Sequence, residues 1–249
     1  MNKEKIQEIF RVVRANNSNV IPEVFSKQIF EYAGVNIPKQ EISSTEDEAV
    51  YLAKKIGFPV VLKIHSFQIV HKSDAKGVLV GLKSSDEVRE GFREIIQNAA
   101  IYNKTSDKFQ VTVQEMAEPA TEIIIGMKRD EIFGPVILFG LGGVWVEVLK
   151  DVSLRVLPLT ERDVELMFTE IKGTSLLEKF RGNEARDLAS LKNLIFQLQN
   201  LVLEFPEINE IDLNPVFLYE KGHGNIVVDA RIVLNTVSSL YIEEVISIE

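Results

Sequence analysis

Two stretches of this chain set residues suited to phosphate and metal chemistry at short spacing. From Lys63 to Lys83 the sequence holds Lys63, Lys72, Lys76 and Lys83 against Asp74 alone, so positive charge is concentrated there in a chain of formal charge -9. Lys63 sits inside the β-branched run PVVLKI. An ammonium among apolar neighbours is costly unless it meets an anion, and the polar, loop-like segment that follows to Gly77 has the character of a phosphate cradle. The plain alternative is an edge-strand lysine with its head in water. His71 stands in the same loop, in the sequence His71-Lys72-Ser73-Asp74. A neutral imidazole, with an unperturbed pKa of about 6.5, can accept a phosphoryl group. His65, beside the strand end, is a weaker candidate, and His223 reads as a surface residue of a turn.

The second stretch is Asp212-Leu213-Asn214-Pro215. In an extended chain, side chains two apart share a face, so Asp212 and Asn214 point the same way. The chain then turns through Glu220 to Gly224 and returns as Asn225 to Asp229. A hairpin centred between Lys221 and Gly222 sets Asn214 opposite Asp229. Facing Cβ atoms in an antiparallel pair lie ~4.5–5.5 Å apart, close enough for both oxygens to hold one Mg²⁺, which needs few protein ligands. A solvated polar hairpin is the alternative, but Val216, Phe217, Ile226, Val227 and Val228 make this one apolar enough to be buried, and buried acids want partners. Glu115 and Glu122 frame Met116 to Thr121, a connection between two strand-like runs that reads as a hinge, with Glu115 placed to receive a ribose or adenine donor. Gly140-Leu141-Gly142-Gly143 has no following helix and reads as a tight turn.

Composition narrows the classes. The 249 residues carry no cysteine, 28 Lys+Arg and 37 Asp+Glu. Disulfide scaffolds, thiolate metal sites and cysteine nucleophiles are excluded. The acidic balance argues against a nucleic-acid backbone or an anionic membrane as main partner. The mixed-charge start, Met1 to Lys5, lacks the apolar core of a signal peptide, and the expected location is cytoplasmic.

The elements that must position these residues alternate. Ile6, Ile9, Phe10 and Val13 predict an amphipathic helix over the first fourteen residues, followed by a polar linker at Ala15 to Asn19. A short helix spans Pro22 to Ala33, and Thr45 to Glu48 is a capping box opening a helix to Ile56. Strands are predicted at Pro59–Ile64, Gly77–Lys83, Gln110–Met116, Glu122–Lys128, Pro135–Phe139 and Val144–Leu149. Helices are predicted from Ser84/Ser85 through Ala100, from Thr160 to Lys172, and from about Asn183 to Glu204. Helices and strands mix without a strict βαβ period, which favours α+β layers in two lobes.

In order along the chain, GFPVVLKIHS, IVHKSD, VQEMA, TEIIIGMKRD, FGPVILFGLGGVWVEVLKDVSLR, EIDLNPVFLY and VVDARI resemble the ATP-grasp β subunit of ADP-forming acetyl-CoA (acyl-CoA) synthetase, a relative of the β subunit of succinyl-CoA synthetase. The resemblance runs from about Ser18 to Glu249. It implies a two-lobed ATP-grasp fold and the reversible reaction of acyl-CoA, ADP and phosphate to carboxylate, CoA and ATP. It implies a separate CoA-binding α subunit, in an α2β2 heterotetramer, that carries its own phosphorylated histidine. It assigns Lys63 to the nucleotide phosphates, Glu115 and the Met116 backbone to adenine and ribose, and Glu122 to a further nucleotide contact. Asn214 and Asp229 match magnesium ligands, with Asp212 beside them. His71 matches the histidine that relays the phosphoryl group to ADP. The family loop usually carries two glycines after the aspartate, whereas Ala75-Lys76-Gly77 keeps one.

The expected organisation is therefore an N-terminal helix and linker over 1–20, a first ATP-grasp lobe with the histidine loop over 21–113, and a second lobe with the metal-binding hairpin over 114–249. Two rivals differ in chemistry. A self-sufficient ATP-grasp carboxylate ligase would turn over alone, and a non-catalytic nucleotide-binding regulatory subunit would form no phosphohistidine.

Overall fold

The computed structural model describes residues 1–69, 72–103, 109–143, 148–179 and 184–236. The chain opens with α1 (Lys3–Ala15), β1 (Val20–Ile21) and α2 (Glu23–Tyr32). It continues through β2 (Gln40–Ser43), α3 (Glu46–Ile56), β3 (Val60–His65), β4 (Val78–Leu82), α4 (Ser85–Asn103) and β5 (Gln110–Glu115). The remainder comprises β6 (Thr121–Asp130), β7 (Gly134–Leu141), β8 (Val152–Val156), α5 (Glu161–Glu170), a 3-10 turn at Lys172–Leu176, α6 (Leu188–Glu204), β9 (Ile208–Leu218), β10 (Asn225–Val227) and β11 (Ala230–Leu234).

Polar side chains start the helices where the sequence offers them. Thr45 accepts from the Glu48 N–H at 3.2 Å to open α3, and Thr160 and Asp163 cap each other's backbone at the start of α5, satisfying donors that would otherwise be orphaned. The long helix begins at Leu188 and not near Asn183, because Asp187 caps it and is also tied elsewhere. The Asp187 carboxylate accepts from Ser190 N–H at 3.0 Å and from the N–H groups of Gly222 and Gly224 at 3.0 and 2.9 Å. Arg186 forms a bridge to Glu220, so this entry segment belongs to the hairpin turn. The last predicted strand before Thr160 is displaced too. Residues 144–147 of the expected Val144–Leu149 strand lie outside the described residues, Val148 and Leu149 are in a turn, and the strand that pairs with β7 is β8.

Two antiparallel sheets result. The smaller runs β2-β5-β3-β4, and α3 and α4 bury Ala49, Leu62, Ile64, Phe92, Ile95 and Val111 with it in one core. The larger runs β1-β11-β9-β6-β7-β8, with β10 added on β9. Its core holds the inward faces of β6, β7 and β9 together with α1, α2, α5 and α6.

The two cores divide the chain differently from the expected boundaries. Residues 1–20 do not stand apart as helix and linker. Ile6, Ile9, Phe10 and Val13 are buried in the core of the larger sheet, and β1 pairs with β11, Val20 opposite Val233 and Ile21 opposite Ile232. Helix α2, expected within the first lobe, sends Ile29 and Phe30 into that same core. The apolar stripe of α1 must be covered, and the larger lobe supplies the face that covers it. The smaller lobe thus begins after α2, at β2, and ends with β5.

Candidate functional site

A cleft of about 420 Å³ opens between the lobes. Its walls are the start of α2, the end of β3 with the turn after it, and the β9 and β11 strands of the larger sheet. The hairpin forms in the expected register. Asn225 pairs with Leu218, Ile226 with Phe217 and Val227 with Val216, and beyond the gap Ala230 pairs with Leu213 and Arg231 with Asp212. Pro215 has no N–H to give, so the ladder is interrupted there. The Asn214 N–H nevertheless reaches the Asp229 carbonyl at 3.3 Å. Asp212, Asn214 and Asp229 all line the cleft.

Lys63 projects beneath this wall. Its Nζ lies 2.6 Å from Glu23 Oε1, 3.0 Å from Asp229 Oδ2 and 3.5 Å from the Val228 carbonyl. Glu23, at the first turn of α2, is the centre of a buried charge cluster. Its Oε1 is also 2.6 Å from Lys27 Nζ, and its Oε2 is 2.6 Å from Lys72 Nζ. The Lys72 contact is an ion pair without the alignment of a hydrogen bond, and Oε2 has no hydrogen-bond donor. Lys27 donates in addition to Gln114 Oε1 at 2.6 Å.

The electrostatics follow from burial and pairing. Burial would push the Glu23 carboxyl up, but Lys27, Lys63 and Lys72 outweigh it and hold the group far below the ordinary carboxylate range. Burial pulls Lys63 down, and Glu23 and Asp229 more than offset this, so it stays charged above the ordinary lysine value. Lys27 has one carboxylate beside it and is pulled down to about 8 by burial. Asp212 is raised by burial, with Asp229 and Glu210 adding to the effect and Arg231 opposing it. His65 is lowered by burial and by Lys72, and packs edge-on against Phe25 with ring centres 5.6 Å apart.

The turn carrying Lys72 is pressed against β3. Gly77 accepts from Ile64 N–H at 2.7 Å and donates to the Lys72 carbonyl at 2.8 Å. Val70 and His71 lie outside the described residues. The residues on either side, Ile69 and Lys72, both line the cleft.

Glu115, Met116 and Glu122 are not in this cleft. They lie along the crossover from β5 to β6. Glu115 faces Val60, three residues along β5 from Thr112, which lines the cleft, so the two are about 10 Å apart along the strand. The Glu115 carboxylate accepts from Lys39 N–H at 3.3 Å. Glu122 packs under the Gly142 turn, where a Cβ on Gly142 would come within 2.8 Å of the Glu122 Cβ.

Asp212, Asn214 and Asp229 are hard oxygen donors, the type Mg²⁺ takes, and a magnesium site needs only one or two carboxylates with phosphate and water. Among the described residues no group of three His, Asp or Glu is close enough to hold a metal unaided. The donor set therefore fits an ion that brings its own phosphate ligands.

Sequence reasoning missed Glu23, Lys27 and Arg231. Glu23 and Lys27 are an i, i+4 pair, which in sequence looks like any exposed helix pair. Arg231 sits opposite Asp212 and lines the cleft, with its guanidinium 2.5 Å from Glu210 Oε1.

A lysine-rich turn facing a carboxylate hairpin between two antiparallel lobes agrees with the comparisons to known proteins. The family model of the ATP-grasp domain matches residues 12–234. The chain belongs to the ATP-grasp family, among the β subunits of ADP-forming acyl-CoA ligases. It is 41% identical over 233 residues to the β subunit of acetate–CoA ligase [ADP-forming] II of Pyrococcus furiosus, covering 93% of this chain and 99% of that one. Its fold matches acetyl-coenzyme A synthetase 1 of Ca. Korarchaeum cryptofilum, in complex with coenzyme A, Ca-AMPCP and HgCl+, with a TM-score of 0.87 and 43% identity over 92% of this chain and 99% of that one. A second structure of that synthetase, with coenzyme A and Mg-AMPPCP and its phosphohistidine segment pointing towards the nucleotide binding site, gives a TM-score of 0.80 at 43% identity over 92% and 100% of the two chains.

Proposed function

We propose that this chain is the nucleotide-binding β subunit of an ADP-forming acyl-CoA synthetase. With a CoA-binding α subunit it interconverts acyl-CoA, ADP and phosphate with carboxylate, CoA and ATP. The observation that carries this reading is the convergence of Lys63, Lys72 and Asp229 on one interlobe cleft, which Ile69 and Lys72, the described residues nearest His71 in the chain, both line.

Lys63 and Lys72 bind the nucleotide phosphates, and their charge offsets the repulsion between the incoming phosphoryl group and ADP. Asn214 and Asp229 hold Mg²⁺, with Asp212 beside them. The ion, when bound, neutralises charge on the phosphate oxygens. Glu115, the Met116 backbone and Glu122, displaced along the crossover, meet the nucleoside end. His71 accepts the phosphoryl group: the P–N bond to the histidine of the α subunit breaks as a P–N bond to His71 forms. That second bond breaks in turn as a terminal oxygen of ADP takes the group, and His71 is returned as a neutral imidazole. A relay is needed when two sites are too far apart for one in-line transfer. The assembly is read as α2β2 in the cytoplasm. Among the described residues no helix is long and apolar enough to cross a membrane.

The test is transfer of labelled phosphate from Mg-ATP to this chain, with and without the α subunit, in the wild type, His71→Ala and Asp229→Asn. Acid-labile, base-stable label that disappears in His71→Ala, and is slowed in Asp229→Asn through weaker Mg-nucleotide binding, is the expected result. Label on the α subunit alone would remove the relay through His71, and turnover without any α subunit would favour a self-sufficient ligase.

A further inference from the structure

Lys27 carries a charge that the phosphate chemistry above does not use. It lies on α2 and is fully buried, one turn from Glu23. Three ammonium groups share the Glu23 carboxylate, and their side-chain exposure is graded: 19% for Lys72, 7% for Lys63 and 0% for Lys27. The two outer lysines have somewhere to go. Lys63 already contacts Asp229 on the opposite wall, and Lys72 lines the cleft. Lys27 has nowhere to go. Its head is enclosed and held at 2.6 Å by Gln114 of β5, in the other lobe.

Phosphates entering the cleft must therefore compete with Glu23 for Lys63 and Lys72. A carboxylate buried this deeply cannot give up its cations without cost, because an unpaired buried charge is strongly unfavourable. We propose that Lys27 is a positioning residue that keeps Glu23 neutralised while Lys63 and Lys72 pass from that carboxylate to the nucleotide phosphates. Glu23 then acts as a stand-in anion that occupies the two phosphate-binding lysines until the nucleotide arrives, and Lys27 makes the exchange reversible. The inference rests on the nucleotide reading of the cleft.

The experiment is calorimetric titration of the full-length chain with Mg-ADP, comparing wild type, Lys27→Met, Glu23→Gln and the double variant, each checked for folding by thermal melting. Lys27→Met should weaken Mg-ADP roughly tenfold or more, because Glu23 then clings to the outer lysines. In the enzyme reconstituted with its α subunit, the KM for ADP should rise while kcat changes little. Adding Glu23→Gln to Lys27→Met should return the affinity to within about threefold of wild type, since a neutral amide no longer competes with phosphate. A merely structural role for Lys27 gives no such rescue. Lys27→Met that binds as wild type, or a double variant as weak as Lys27→Met, overturns the proposal. If Lys27→Met fails to fold, Glu23→Gln decides: it must bind Mg-ADP at least as tightly as wild type, and weaker binding overturns the proposal. A folded wild-type chain that binds no Mg-ADP removes the nucleotide reading itself, and this inference with it.

Discussion

Glu23 ties α2 to the smaller lobe through lysines that only an ionised carboxylate can hold, so part of the fold's stability depends on its charge. The folded Glu23 lies far below the ordinary value of 4.5, because its three lysines outweigh the effect of burial. The unfolded chain therefore takes up this proton first as the pH falls. The stabilisation is complete above the ordinary value, is lost progressively below it, and is gone beneath the folded value. Thermal melts between about pH 5 and about pH 3 should show a steep loss of Tm in the wild type and a flatter one in Glu23→Gln. Parallel acid limbs in the two proteins would show that the cluster does not stabilise the fold. At this scale the sequence was legible where residue type alone carries meaning: Lys63, Asp212, Asn214 and Asp229 all reach or line the cleft. Glu23 and Lys27 were not legible, because an i, i+4 pair acquires its role only from what packs over it.

The turn from Lys72 to Gly77 is the element on which the proposed phosphate contact depends. Lys76 occupies the left-handed region at φ 48°, a conformation L residues adopt at a cost. A glycine would suit this position, and the family loop usually has a second one. Gly77 is constrained by space: a Cβ there would lie 2.5 Å from Ile64 Cγ2 and 3.2 Å from the Lys72 carbonyl. Ile64 is buried and β-branched, so it cannot swing aside. Gly77→Ala should destabilise the chain by about 1–3 kcal/mol and, by lifting the turn from β3, also weaken Mg-ADP binding. Denaturant unfolding and calorimetry measure the two effects, and wild-type values in both would mean that the turn has room the geometry denies. The hairpin illustrates the opposite case. Its register was legible because the Glu220–Gly224 turn and the apolar alternation on each side admit one pairing. Strand β8 was not, since VSLRV has no stronger pattern than the run before it, and pairing with β7 selects it.

Across the whole molecule, the N-terminus belongs to the larger lobe although the smaller lobe follows it in the chain. Phe10 is fully buried and meets Phe205 edge-on, with ring centres 5.6 Å apart. Phe10→Ala should cost about 3–5 kcal/mol by denaturant unfolding, the range for deleting a packed aromatic core side chain. A cost under about 1 kcal/mol, typical of surface changes, would mean that α1 is an appendage after all. The same wrapping puts α2 on the larger lobe with Glu23 and Lys27 facing the smaller one. Contacts between the lobes are therefore made partly by charged groups, Glu23 with Lys63 and Lys72, and Lys63 with Asp229, which suits the proposed nucleotide cleft.

The sequence by itself determined most local elements, the caps at Thr45 and Thr160, the α+β class, the hairpin register and which residue types suited to phosphate and metal chemistry the chain offers. These follow from periodicity, turn composition and side-chain type, which act over a few residues. Only the tertiary structure decided that residues 1–20 complete the core of the larger sheet, that Glu115, Met116 and Glu122 lie apart from the Lys63 cleft, and that three lysines share one carboxylate. Each of these depends on segments far apart in the chain, such as Glu23 and Lys63 or Val20 and Val233, whose meeting is set by which apolar faces must cover one another and by which buried charges must then be paired.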